Sequence, residues 1–199
     1  MQTQPSIRCI ATAQPAAEPL TVAEAKSHLR VEHSDDDALI GTLISAAREF
    51  VENLSGRTIA QRAFIQTMDS FPCGRGDIVL RRSPVTAVAS VSYYDSSGID
   101  TVMVVNTDYR LDLAIIPARI RLPILTASWV SGYQTDDCVR ITYTAGAAIV
   151  PAAAKQTILL LVGHWYENRE SVVVGQTSNA VHQTVSALID SYRIGDIAL

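Results

Sequence analysis

The sequence is short of what disulfide-built, membrane-spanning, nucleic-acid-binding and catalytic proteins need. Its three cysteines, Cys9, Cys73 and Cys138, stand far apart with no Cys-x-x-Cys spacing. So sparse and odd a count argues against a disulfide framework or a zinc site and fits a reducing compartment. No run of Lys or Arg exceeds two residues (Arg81-Arg82), and 16 basic against 20 acidic residues leave a formal charge of −4. A chain balanced this way is not, as a whole, an electrostatic nucleic-acid binder. No apolar run approaches the length of a membrane span, and the first twenty residues lack the continuous apolar segment of a secretion signal. Gly-x-Ser-x-Gly, a phosphate loop and His-Glu-x-x-His are all missing.

What the chain does have is apolar residues, 48% of 199, enough for one good-sized domain with a real core. Residues 1–20, with three prolines, read as an extended N-terminal arm or loose tail. Thr21-Val22-Ala23-Glu24 is a capping box that opens a helix over residues 21–30. A second helix, over 35–55, is expected to be capped by Ser34 and to hold Asp35, Asp36 and Asp37 in its first turn. Apolar residues recur along it at Leu39, Ile40, Leu43, Ile44, Ala47, Phe50, Val51 and Leu54, a 3.6-residue period. Gly56 supplies its left-handed stop. From Thr58 the period falls to two, which predicts a β-rich insertion over 58–145. Its strands are expected at Thr58–Met68, Asp77–Arg81, Val85–Tyr93, Thr101–Val105, Ala118–Leu122 and Val139–Tyr143. Turns fall at Phe71–Gly74 and Asp95–Gly98, and Trp129 anchors the loop Pro123–Asp137.

A third helix follows over 151–169, opened by Pro151 and three alanines. It is apolar nearly all round, which demands cover on more than one side. Two readings stay open. Ile158, Leu161, Val162, Trp165 and Tyr166 form a subunit interface, or the helix is the centre of the monomer's own core. Its tip, Glu167, Asn168, Arg169 and Glu170, is charged against the helix dipole at the two glutamates. That points to docking on a neighbour or partner; a solvated cap is the plain alternative. Residues 171–180 read as a flexible connector and 183–193 as a short helix. There Leu188, Tyr192 and Arg193 make an aromatic and cationic docking set.

Asp35 to Asp37 need no cation, since carboxylates at a helix N-terminus are stabilised by its dipole. His28, His33 and His164 share no ligand motif. No metal, no cofactor and no catalytic residue is therefore expected. The remote enzymatic alternative is a small hydrolase using Asp108 and Asp112, placed on one face of a strand about Tyr109.

The order of elements and the words within them resemble the head–tail connector proteins (adaptor or head-completion proteins) of long-tailed phages and related prophage-like or gene-transfer particles. The matching words begin with Leu20-Thr21 through Lys26-Ser27-His28-Leu29-Arg30 and Asp35-Asp36-Asp37-Ala38-Leu39-Ile40. Ala46-Ala47-Arg48, Val51-Glu52, Leu80 through Ser83-Pro84-Val85 and Val88 through Asp95 with Gly98 follow. Tyr143-Thr144-Ala145-Gly146, Val150-Pro151, Lys155-Gln156, His164 through Glu170, and Leu188 through Arg193 complete the set. The likeness spans roughly residues 20–193; the Pro/Ala-rich arm and the loop Pro123–Asp137 depart from it. It implies an α+β fold: a small helical bundle with a β-rich insertion between helices two and three and a C-terminal docking segment, 171–199. It also implies a structural component of a virion or phage-like particle, assembled in the bacterial cytoplasm. Such proteins form a ring of identical subunits, usually twelve, under the portal protein, and carry the stopper or tail-completion protein. Double-stranded DNA passes through without sequence-specific binding, and no membrane is involved. A stopper or tail-terminator ring protein is the alternative within the same machinery; the two helices before the strands favour the adaptor. The acidic balance suits a conduit, because a neutral or negative wall would not hold DNA.

Overall fold

Helix α1 (Val22–Leu29) starts where the Thr21/Glu24 spacing predicts. The Thr21 hydroxyl accepts from the Glu24 N–H at 3.1 Å, and the Glu24 carboxylate accepts from the Thr21 N–H at 2.8 Å. Two donors that a helix start leaves unpaired are thereby satisfied together. The Thr21 N–H foremost, then the Thr21 hydroxyl and Lys155, all donating to the carboxylate, hold the Glu24 pKa below its ordinary value. The stabilisation is therefore present above the ordinary carboxylate range and is lost as pH falls through the lowered folded value. Thr21→Ala is expected to cost about 1 kcal/mol and to blunt this acid-dependent loss, as read by amide exchange in α1.

The computed structural model describes residues 6–123, 128–130, 135–168, 178–191 and 193. The fold is α+β, and the chain divides into two compact units, residues 15–60 with 147–199 and residues 1–14 with 61–146. The first unit is helical. Helix α2 (Asp37–Ser55) has Asp36 rather than Ser34 at its N-cap, no side chain caps it, and only Asp37 lies in its first turn. Gly56 ends it at φ 69°, a conformation that costs little without a Cβ. Helix α3 (Ala152–Glu167) begins one residue later than expected, with Pro151 at the N-cap, and stops at Asn168. Helix α4 (Ser178–Asp190) is the last element among the described residues. Ala25 of α1, Ile40, Ile44, Ala47 and Val51 of α2, Ala154, Ile158, Leu161 and Val162 of α3, and Val185 and Ile189 of α4 share one core.

Among the described residues the second unit is strand and loop. β1 (Ile7–Ala11), β2 (Arg62–Met68), β8 (Val139–Ala145), β4 (Val85–Tyr94) and β5 (Asp100–Val102) form an antiparallel sheet in the order β1-β2-β8-β4-β5. β3 (Ile78–Val79), β7 (Arg119–Arg121) and β6 (Arg110–Asp112) form a smaller one, β3-β7-β6. Phe64 and Met68 of β2, Ile141 and Tyr143 of β8, Val91 of β4, Ile78 of β3 and Ile120 of β7 fill one core between them. Trp129 is the loop anchor expected: it stacks on Phe71 at 5.1 Å, and its Nε1 donates to the Gly76 carbonyl at 2.8 Å.

The N-terminal arm is corrected. Ile7–Ala11 is a strand paired with Phe64–Met68, because Ile7 and Cys9 alternate into the core and β2 offers an open edge. The strand expected about Tyr109 is β6, three residues long, which begins only at Arg110 and so takes in Asp112 but not Asp108. Gln66 is a buried polar residue on the inward face of β2. Its amide donates to the Val79 carbonyl at 3.0 Å, and its oxygen accepts from the Arg81 N–H at 3.0 Å. Gln66→Leu strands both backbone groups. A loss of about 1–3 kcal/mol in chemical denaturation is expected.

Candidate assembly surfaces

The polar residues in the words that carry the resemblance pair mostly with one another. Lys26 of α1 reaches Asp37 of α2 at 2.7 Å. Lys155 of α3 reaches Glu24 of α1 at 3.4 Å. The Tyr166 hydroxyl of α3 donates to the Asp36 carboxylate at the head of α2. The aspartate run thus joins helices, as the Lys26 and Tyr166 contacts show. In the β-rich unit the Tyr143 hydroxyl accepts from the Arg82 N–H at 3.2 Å, and the Gly146 N–H donates to the Pro84 carbonyl at 2.9 Å. Burial pushes the Tyr143 pKa far above its usual range, so the phenol stays neutral.

The largest of these ties is buried. Arg48 is 1% exposed and Glu52 1%. The guanidinium contacts Glu18 at 2.7 Å, Glu52 at 3.2 Å and Glu49 at 3.3 Å. Burial opposes the charge on Arg48, but Glu18, Glu52 and Glu49 together outweigh it, and its pKa is raised. The other oxygen of Glu52 accepts from the N–H groups of Ile59 and Ala60 at 2.7 and 3.1 Å. One carboxylate therefore binds a cation and fixes the segment that follows α2. Sequence reasoning missed this centre. Its signal was there: Arg48 and Glu52 are four residues apart and border the apolar stripe of Ile44, Ala47 and Val51.

The expected interface on α3 is corrected at three positions. Ile158, Leu161 and Val162 are buried in the helical unit's own core, because α2 and α4 already cover that side. Trp165 and Tyr166 are half-buried. Trp165 meets Phe50 edge-on at 6.1 Å, and Tyr166 is engaged with Asp36. Glu167 and Asn168 are exposed, but the Asn168 amide turns back to the His164 carbonyl at 2.9 Å. Arg169, Glu170 and Tyr192 lie outside the described residues. The final helix is not a free docking peptide: Val185 and Ile189 are buried with α3, and Leu188 is half-buried. Arg193 is exposed beside Asp190 at 3.9 Å.

Asp108 and Asp112 do not form a carboxylate pair on one strand. Asp108 precedes β6 and accepts from the Val104 N–H at 2.7 Å, while Asp112 pairs with Arg121 at 3.0 Å. Each is occupied by its own partner.

Helices that enclose a core before and after a β-rich excursion, tied by their own most distinctive residues, define an α+β protein. A family model for head completion protein matches residues 18–194, and the chain belongs to that family. Its role is that of a head–tail connector, a structural part of the particle. No curated protein matches the sequence. Among solved structures, the chain is similar to one from the neck of an empty gene transfer agent (GTA) particle computed with C6 symmetry. That match has a TM-score of 0.77 at 24% identity, over 96% of this chain and 97% of that one. A chain from the virion of the native gene transfer agent particle gives 0.75 at 24%, over 95% and 96%. One from the neck of the native particle computed with C12 symmetry gives 0.74 at 23%, over 96% and 97%. At these identities the likeness establishes a shared fold.

Proposed function

We propose that the chain is one subunit of a ring at the head–tail junction, twelve copies under the portal that lengthen the DNA channel and receive a stopper or tail-completion protein. The observation that carries this reading is the family match over residues 18–194, which takes in helices on both sides of the β-rich unit. The C12 symmetry of the similar native neck structure supports the number. Helices α1 to α4, as a bundle, form the body that holds the subunit together. The exposed Glu167 at the tip of α3, its successors Arg169 and Glu170, and Leu188, Tyr192 and Arg193 near the chain's end are the residues we assign to portal docking. Asn168 serves that surface by fixing the end of α3.

The charge distribution fits a conduit. Residues 15–60 and 147–199 hold twelve acidic and seven basic residues; the other unit holds nine arginines and eight aspartates. Neither balance supplies the dense cations that would grip duplex DNA through counterion release. The subunit acts by shape and contact, without catalysis, and is assembled in the bacterial cytoplasm. A stopper is the weaker reading, because α1 and α2 before β2 to β8 and α3 and α4 after them suit an adaptor.

Native mass spectrometry of the chain alone and with its cognate portal tests the proposal. A monomer or weak associate alone that becomes a portal-bound twelve-subunit ring is expected. Glu167→Lys with Arg193→Glu should reduce portal-bound mass while the free subunit stays folded. A folded monomer indifferent to the portal overturns the reading.

A further inference from the structure

On the ring reading, we infer that neighbouring subunits meet through two different faces: the outer ridge of α2 in one copy seats on the outer face of the five-stranded sheet in the next. Helix α2 carries more apolar residue than its core uses. Ile40, Ile44, Ala47 and Val51 point inward, whereas Leu39, Phe50 and Leu54 stay exposed, Phe50 at 37% and Leu54 at 42%. Spacings of four and eleven residues put them, with half-buried Leu43, along one flank of the helix. Trp165 extends the flank beyond Phe50. Contiguous apolar surface of this kind on a folded domain marks a contact site. Between Asp35 and Leu54 the sole basic residue is Arg48, which is buried, while Asp35 and Glu49 are exposed. The ridge is acid-flanked and has no exposed cation.

The sheet face is its complement. β1, β2 and β8, side by side, contain no Asp or Glu. Their outward positions hold Ile10, 54% exposed, opposite Ile65, with Thr142 beyond it. One row along, Thr67 stands between Arg8 and Arg140. Arg8 is neutralised by Asp137 at 3.1 Å. Arg140 is exposed and, among the described residues, has no ion pair. The wet face of an antiparallel sheet is ordinarily polar. This one is weakly polar along β1, β2 and β8, with an unpaired cation, Arg140, on its middle strand, a bed on which a helix can lie. Two copies of the ridge would set acid against acid, and two copies of the sheet arginine against arginine. Ridge on sheet pairs opposite charges, and a contact between unlike faces is what a closed ring requires.

The test uses the full chain bound to its portal, with exposed Cys73 first replaced (Cys73→Ser). Ile10→Cys and Leu54→Cys are introduced singly and together, then mildly oxidised. The double variant is expected to give a ladder of covalent multimers on denaturing gels and each single variant none. Arg140→Glu is expected to weaken ring assembly about tenfold with unchanged circular dichroism, and adding Glu49→Arg to restore part of it. A ring that forms with no ladder, or single variants that yield dimers, overturns the assignment of faces and leaves the ring standing. A wild-type chain that forms no ring on its portal overturns the ring reading and this inference with it.

Discussion

Arg48→Ala is expected to cost the helical unit about 3–5 kcal/mol, the range for removing one partner of a buried ion pair. The size follows from what is left behind. Glu52 is almost fully buried; without the guanidinium it keeps the N–H groups of Ile59 and Ala60 but loses the cation 3.2 Å away. Glu18 loses its 2.7 Å partner at the same time. Arg48→Lys should fall between wild type and Ala, since one ammonium cannot reproduce a fork that serves three carboxylates. Urea denaturation followed by helical circular dichroism reads both. A loss below about 1 kcal/mol for Arg48→Ala would place the cluster with exposed pairs, which contribute little, and would overturn its role as the keystone of α2.

Ile158→Ala is expected to destabilise the isolated subunit by about 2–5 kcal/mol, the cost of a cavity in a packed core. Ile158 is fully buried among side chains of its own chain. Were α3 the subunit interface, the same substitution would spare the monomer and weaken only the ring. Thermal unfolding of the unassembled chain separates the two. Phe50→Ala is the control: partly exposed on the far flank of α2, it should alter monomer stability by less than the buried position does, since little buried contact is lost.

Local chemistry was the legible part of this fold. The capping box, the Gly56 stop and the period of α2 rest on residues within a turn of each other, and the structure keeps all three. The alternations of β2 and β8 held for the same reason, whereas two register shifts in β4 leave Ala87 and Ala89 exposed and bring Val88 against the core. What escaped depended on distant neighbours. β1 is a strand only because β2 has an open edge some fifty residues away. Ser34 yielded its capping place to Asp36, whose carboxylate takes a hydrogen bond from Tyr166 across the unit. The apolar surplus of α3 looked like an interface because nothing local says that α4 folds back to cover it. The α2 ridge was hidden inside a regular period, which does not say how wide a stripe the core can absorb. Of the residues proposed to dock on the portal, Arg169, Glu170 and Tyr192 lie outside the described residues, and Glu167 and Arg193 are exposed.

Arg62 and Ala145 are register partners in adjacent strands, and they stand almost where the long excursion between α2 and α3 begins and ends. On the helical side, the Ala147 N–H donates to the Ile59 carbonyl at 3.3 Å. Both ends of that excursion are therefore clamped together twice, once by each unit. Loop-closure entropy rises only with the logarithm of loop length, and here the ladder itself brings the ends together. For the helices, the whole β-rich unit weighs on folding much as a tight turn would. A lineage could lengthen, trim or exchange that module while the helices keep their packing, so the β-rich unit is free to diverge faster than the body that carries it.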